Sequence, residues 1–258
     1  MTNTLLVDQR NDHITVLTLN RAEQRNALDF ATMHALAEAI GCLAAEPELR
    51  AVIITGAGSD AFCSGGDLHE LHHYASEADG RMMISLMGDA LMALERLPVP
   101  VIAAMNGYAL GGGSELALAC DLRIADEKTR MGFVQAKMGL TTGWGAGQRL
   151  LRLVGYARAM DMLLSSRVMH APELLAVGLV NRVVEKGSAL EHALHYAQHV
   201  TQHAPLAIRG MKTLLQAGIN QSYEQALQTE RELFPPLWAD EPHIRAVEAF
   251  FKRDRGHS

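Results

Sequence analysis

Two stretches of this chain place glycines and a carboxylate where a strand gives way to a helix. Val101 to Asp121, VIAAMNGYALGGGSELALACD, begins with an apolar run of the length of a buried strand. Asn106-Gly107 breaks the run, Gly111, Gly112 and Gly113 follow, and Ser114 and Glu115 open an Ala/Leu-rich helix. Glycine lets a ligand come close to the backbone, and the first N–H groups of a helix have no partner inside it. The stretch therefore offers free amide donors beside one carboxylate, an arrangement suited to an oxygen that becomes negative during a reaction. Phe62 to Leu68, FCSGGDL, repeats the strand–glycine–helix theme, so two separate units can each give one N–H to a shared oxygen. Taken singly, either set of glycines also reads as a simple tight turn. Neither is a dinucleotide fingerprint, because Leu116 stands where the third glycine belongs. No GxxxxGK[ST] phosphate loop occurs.

A second chemistry competes for attention. His69-Glu70-Leu71-His72-His73 matches HExxH, which on a helix puts two zinc ligands on one face with a glutamate as base. It is a metallohydrolase alternative. No third ligand at a recognised spacing follows, and a solvated polar helix face explains the same residues.

The elements that must position these groups follow from composition and pattern. A chain of 258 residues that is 48% apolar can bury a large core, as one domain or one domain with an appendage. A net charge of −6 gives no general attraction to nucleic acid or anionic membrane. The first residues show no secretory pattern, and no apolar run reaches the length of a membrane helix. Cys42, Cys63 and Cys120, without zinc spacing, fit a reducing cytoplasm.

Val7 and Ile14–Leu19 predict a hairpin turned at Asn11-Asp12, and Asp29 predicts the N-cap of a helix reaching about Ala45. Strands are expected at Ala51–Thr55, Leu122–Ala125 and Val180–Val184, with helices at Asp79–Leu97 and, broken at Gly155, at Arg149–Leu164. Arg130–Gly143 reads as a loop or pocket wall. From Ser188 the pattern is helical, with breaks expected at Pro205, Gly218 and Pro235-Pro236. Strands alternating with helices, then helices alone, indicate an α/β core over 1–190 and a helical region over 191–258.

NRAEQRNALD, AVIITGAGSDAFCSGGDL, PVPVIAAMNGYALGGGSELALACDLRIAD and the helical tail ending AFFKR together resemble the crotonase superfamily, the enoyl-CoA hydratase/isomerase family, over nearly the whole length. The resemblance implies a spiral of ββα turns followed by helices that mediate homotrimer contacts, with trimers often pairing into hexamers. It implies an acyl-CoA lyase of fatty acid metabolism, with a coenzyme A thioester as substrate and no permanently bound cofactor or metal. The oxyanion-hole amides fall on Gly66 and Gly112, where they would hold the thioester oxygen of an enolate. Gln24, Arg25 and Ala27 match the segment along coenzyme A. Ser64, Gly65, Asp67 and Leu68 match the stretch that forms its adenine-side wall. Lys252 resembles a tail lysine that reaches the nucleotide phosphates. Arg25 and Lys252 read equally as solvated surface cations.

Glu115 matches the first of two glutamates used by the hydratases, and Gln135 stands where the second belongs. An amide can hold a water but cannot exchange a proton usefully near neutral pH. Two-glutamate hydration is thereby put in question. Phe133 to Gly145, FVQAKMGLTTGWG, resembles decarboxylases of malonyl-type CoA esters such as ethylmalonyl-CoA. The expectation from sequence is thus decarboxylation of a short malonyl-type CoA ester. The alternatives are an enoyl-CoA hydratase working with a single glutamate and a non-catalytic CoA-binding protein. Trp144 reads either as ordinary core packing or as a wall that narrows the acyl pocket.

Overall fold

The structure, a computed structural model, describes residues 3–255. Strands β1 (Leu5–Gln9) and β2 (Ile14–Leu19) form the expected antiparallel hairpin. Helix α1 (Phe30–Ala44) is N-capped by Asp29, whose carboxylate accepts the Thr32 N–H at 2.8 Å. The chain then repeats one motif three times. First come β3 (Ala51–Gly56), β4 (Ala61–Cys63), the one-turn α2 (Leu68–Leu71) and α3 (Glu77–Glu95). Next are β5 (Val101–Met105), β6 (Tyr108–Leu110) and α4 (Gly112–Ala119). The third turn is β7 (Leu122–Asp126), β8 (Arg130–Gly132), a 3-10 turn over Gln135–Met138 and α5 (Ala146–Val154). Helix α6 (Tyr156–Ser165), β9 (Val168–His170), α7 (Ala171–Ala176), β10 (Arg182–Val184) and α8 (Ala189–Thr201) follow.

In each repeat the first strand joins a six-stranded sheet, ordered β1-β2-β3-β5-β7-β10, and the second joins a four-stranded sheet, ordered β4-β6-β8-β9. From β2 to β10 the large sheet is parallel; β8 and β9 pair antiparallel at the edge of the small one. This is the ββα spiral. At its centre both faces of the large sheet are covered, so β3 and β5 read as near-continuous apolar runs. Val52, Ile54, Val101, Ala103 and Met105 belong to the main core with α1, α3 and α4. Their neighbours Ala51, Ile53, Ile102 and Ala104 pack instead with Ala189, Ala193 and Ala197 of α8.

Compact units divide at 198/199, within the last turn of α8. The C-terminal unit holds α9 (Pro205–Asn220), α10 (Tyr223–Trp238) and α11 (Glu241–Arg255). Gly218 and Pro235-Pro236 do not end their helices, contrary to expectation. Each lies in the last turn; the two prolines withdraw the N–H donors that the carbonyls of Arg231 and Glu232 would accept, yet the helix runs on to Trp238 and the Ala239 N–H reaches the Pro235 carbonyl at 3.3 Å. Among the described residues no helix is long and apolar enough to cross a membrane.

Two cations, one buried and one partly buried, tie down the glycine segments. Arg123 is 2% exposed and donates to the carbonyls of Cys120 at 2.7 Å, Leu179 at 2.6 Å and Ala117 at 3.4 Å. It therefore closes the C-terminal end of α4. Burial lowers its basicity from the usual guanidinium value. Arg21 ties the polar 20–29 segment to FCSGGDL, pairing with Asp67 at 2.9 Å and Asp29 at 3.0 Å and donating to the Ala27 carbonyl at 2.6 Å. Partial burial raises the Asp67 carboxyl, but the Arg21 guanidinium and the His69 N–H pull it further down, to a net value below the ordinary carboxylate range. A folded-state pKa below the unfolded one means the unfolded chain takes the proton more readily. The contribution is therefore complete above the unfolded carboxylate range, near pH 4, and is lost as pH falls through the lower folded value. We predict that Asp67→Asn lowers stability at neutral pH. In urea titrations across pH, its gap from the wild type should close progressively below about pH 4.

Candidate active site

The two glycine segments meet because their backbones touch. Gly65 lies at φ +100°, and a Cβ there would sit 2.9 Å from the Leu110 carbonyl and 3.1 Å from the Gly112 nitrogen. A Cβ on Gly113 would lie 1.9 Å from the Cys63 carbonyl. Only glycine permits both approaches. Leu28 pairs with Gly66 as a parallel bridge that uses the Leu28 N–H, on the Gly65 carbonyl, and the Asp67 N–H, on the Leu28 carbonyl. The Gly66 N–H is left out of that pattern. Gly112, the first residue of α4, has no carbonyl one turn earlier in its own helix. Among the described residues neither the Gly66 nor the Gly112 N–H has an acceptor, and both glycines are part-exposed.

Glu115 lies in the first turn of α4 and is 2% exposed. Its carboxylate accepts four N–H donors. Gln135 Nε2 at 2.9 Å and the Gly143 amide at 3.3 Å reach Oε1, and the Trp144 amide at 2.7 Å and the Ala146 amide at 3.0 Å reach Oε2. Because a carboxylate only accepts, the Gln135 NH2 must face it. That leaves Gln135 Oε1 buried and without a protein partner among the described residues. The structure thus brings together Gly66, Gly112, Glu115 and Gln135. It adds donors that no side-chain pattern announces, since they are the backbone amides of residues 143, 144 and 146.

Trp144 is 5% exposed and its six-membered ring lies on Gly112: a Cβ there would be 2.2 Å from Cζ3 and 2.5 Å from Cη2. The Trp144 carbonyl accepts from Arg149 Nη1 at 2.7 Å, and Arg149 pairs with Glu95 at 2.9 Å. Neither Arg149 nor Glu95 stands out in the sequence. Leu71 Cδ1 covers Gly66 in a similar way, 2.6 Å from where a Cβ would be.

The other candidates fall in two places. Gln24 and Arg25 are exposed beside Ser64, whose N–H donates to the Arg25 carbonyl at 3.1 Å. Leu68 is 60% exposed, while Ala27 and Asp67 are buried. Lys252 is exposed on α11 in the C-terminal unit. Burial pushes the Cys63 thiol up to about 12, against one backbone hydrogen bond, so it stays protonated and inert as a nucleophile. The HExxH reading loses its geometry. Helix α2 ends at Leu71, so it cannot carry His69 and His73 one turn apart on one face. Among the described residues no group of three or more His, Cys, Asp or Glu could hold a metal.

Comparison with known proteins identifies the family. Residues 9–255 match the family model described as enoyl-CoA hydratase/isomerase. The chain is 36% identical to the short-chain-enoyl-CoA hydratase of Clostridium acetobutylicum over 95% of its own length and 94% of that protein. It is 31% identical to the crotonyl-CoA hydratase of Syntrophomonas wolfei, covering 98% and 96%. The crystal structure of an enoyl-CoA hydratase from Bacillus anthracis superposes with a TM-score of 0.92 at 35% identity, covering 97% of each chain. These relatives are named as hydratases, which favours the single-glutamate alternative over the expected decarboxylation. This chain is an enzyme of the enoyl-CoA hydratase/isomerase family.

Proposed function

We propose that the enzyme adds water to short 2-enoyl-CoA thioesters with one carboxylate, Glu115, as its only acid–base group. The observation that carries this reading is the Glu115–Gln135 pair. Gln135 donates to Glu115 Oε1 at 2.9 Å and keeps a buried, unpartnered Oε1 of its own. A buried acceptor without a donor costs about 1–3 kcal/mol. A water giving one O–H to this oxygen and the other to Glu115 Oε1 removes that cost and points a lone pair outward. Glu115 Oε1 has room for the second bond because its Gly143 contact, at 3.3 Å, is long for a hydrogen bond.

The reaction then balances on one carboxylate. The Gly66 and Gly112 amides hold the thioester oxygen. The water oxygen bonds to the β-carbon as its proton passes to Glu115, and the alkene electrons move onto the thioester oxygen as an enolate. The enolate collapses, the α-carbon takes the proton back from Glu115, and the carboxylate is restored. Gln135 transfers nothing; it holds the water. Gln24, Arg25, Ala27, Ser64, Gly65, Asp67 and Leu68 are assigned to the coenzyme A side of the cleft, Trp144 to the acyl side and Lys252 to the nucleotide phosphates. Exposed Leu206, Leu215, Phe234 and Trp238 support homotrimer or hexamer contacts through the C-terminal helices. Three free thiols fit a reducing cytoplasm.

A second reading, decarboxylation of a malonyl-type CoA ester, is favoured by the four N–H donors already on Glu115. In that reaction the breaking carbon–carbon bond supplies the enolate electrons as CO2 leaves, and the α-carbon needs only a proton. Incubation with crotonyl-CoA, methylmalonyl-CoA and ethylmalonyl-CoA, followed by mass analysis, separates the two. Gain of one water by crotonyl-CoA alone is expected, and loss of CO2 from either malonyl-type ester would transfer the assignment. Glu115→Gln should lower kcat for hydration by about 100-fold or more; unchanged turnover would remove Glu115 from the mechanism. Proline at Gly112 would strike the Trp144 ring, so the amide is better deleted at Gly66, where only the end of Leu71 must move. Gly66→Pro should reduce kcat by about 100- to 1000-fold in a folded enzyme.

A further inference from the structure

We infer that Trp144 is a fixed wall that limits the acyl chain to short lengths, and that Arg149 and Glu95 hold it in place. The inference rests on the thioester seat at Gly66 and Gly112 proposed above. Trp144 differs from an ordinary core residue in how its backbone is held. Its N–H is bound to Glu115 at 2.7 Å, and its carbonyl is bound by Arg149 at 2.7 Å. Arg149 is anchored in turn to Glu95, the last residue of α3, through Nε at 3.0 Å and Nη2 at 2.9 Å. The neighbouring Gly143 is backed by Ile84 of the same helix, whose Cγ1 lies 3.2 Å from where a Cβ would be. One helix therefore braces the loop at two points.

The ring that this bracing fixes lies on the Cα of Gly112, one bond from the amide assigned to the thioester oxygen. Glu115, which serves the α- and β-carbons, is bonded to the same tryptophan. A substrate running from the Gly112 amide past Glu115 must lie alongside the indole. Carbons beyond the β-position then meet Trp144. The backbone that carries the ring cannot retreat without releasing Glu115 or Arg149. Crotonyl-sized chains fit such a space, and longer straight chains collide with it.

The test compares wild type, Trp144→Phe, Trp144→Ala and Glu95→Gln. Two readouts are needed: kcat/KM for crotonyl-, 2-hexenoyl- and 2-octenoyl-CoA, and calorimetric Kd for butyryl- and octanoyl-CoA. Each methylene admitted to or excluded from an apolar pocket is worth about 10-fold or more. Trp144→Ala should therefore raise the octenoyl-to-crotonyl ratio, and the octanoyl-to-butyryl binding ratio, by at least about tenfold. Trp144→Phe should fall between. Glu95→Gln, which touches no substrate, should shift both ratios in the same direction by a smaller factor. A binding ratio unchanged in Trp144→Ala and Trp144→Phe overturns the inference. The binding arm does not depend on the reaction. If wild type hydrates no enoyl-CoA yet its chain-length preference in binding relaxes in Trp144→Ala, hydration fails and the wall stands.

Discussion

A carboxylate buried to the depth of Glu115 cannot be left without donors, and the architecture of the site follows from meeting that demand. Burying an unpaired charge is far more costly than burying a hydrogen-bonded one. Three of the four N–H groups that meet it come from one short stretch leading into α5, residues 143, 144 and 146. Bending this backbone around the carboxylate puts Trp144 against Gly112 and leads directly into α5. The fourth donor, Gln135, closes the remaining side. Loop path, ring position and amide orientation are thus consequences of one negative charge, held where the chemistry is assigned.

The amides proposed as oxyanion donors are a property of backbone packing and not of side-chain identity. The end of β4 and the start of α4 press together so closely that side chains at Gly65 and Gly113 would overlap carbonyls across the gap. The two sheets make this geometry routine. Each turn of the spiral sends one strand to the large sheet and the next to the small one, so the chain leaves β4 and β6 side by side. The free amides of Gly66 and Gly112 follow these strands, and the Gly112 nitrogen lies 3.1 Å from where a Cβ on Gly65 would be. Arg21 locks the third contributor, the 25–28 segment, onto the same edge through Asp67.

How much of this could be read beforehand depended on where the information resides. The central large-sheet strands β3 and β5 are near-continuous apolar runs, and Asp29 caps its helix through its own side chain, so both were legible. Strands β6, β8 and β9 are three residues each. They are too short to show a period, and they exist because neighbours pair with them; α7, with six residues, was missed for the same reason. HExxH misled because spacing implies a zinc site only on a helix longer than α2. The glycines and Glu115 declared themselves by type, whereas the amides that satisfy Glu115 belong to residues whose side chains do something else. The Gln135 substitution was legible, but its consequence was not. As a substitution it pointed away from hydration. As a placed amide with an orphaned oxygen beside Glu115, and with relatives named as hydratases, it favours hydration.

Arg123 has a consequence for the field along α4. A helix carries partial positive charge at its N-terminus and partial negative charge at its C-terminus, each about half an elementary charge. In a helix of only eight residues the two ends are close enough for the far pole to cancel much of the near one. The guanidinium, bonded to the terminal carbonyls of Ala117 and Cys120, offsets that negative pole from behind. What reaches the Gly112 end is then close to an unopposed positive potential. A residue with no part in binding or proton transfer would in this way help a peptide nitrogen on the opposite side of the core to tolerate an anion.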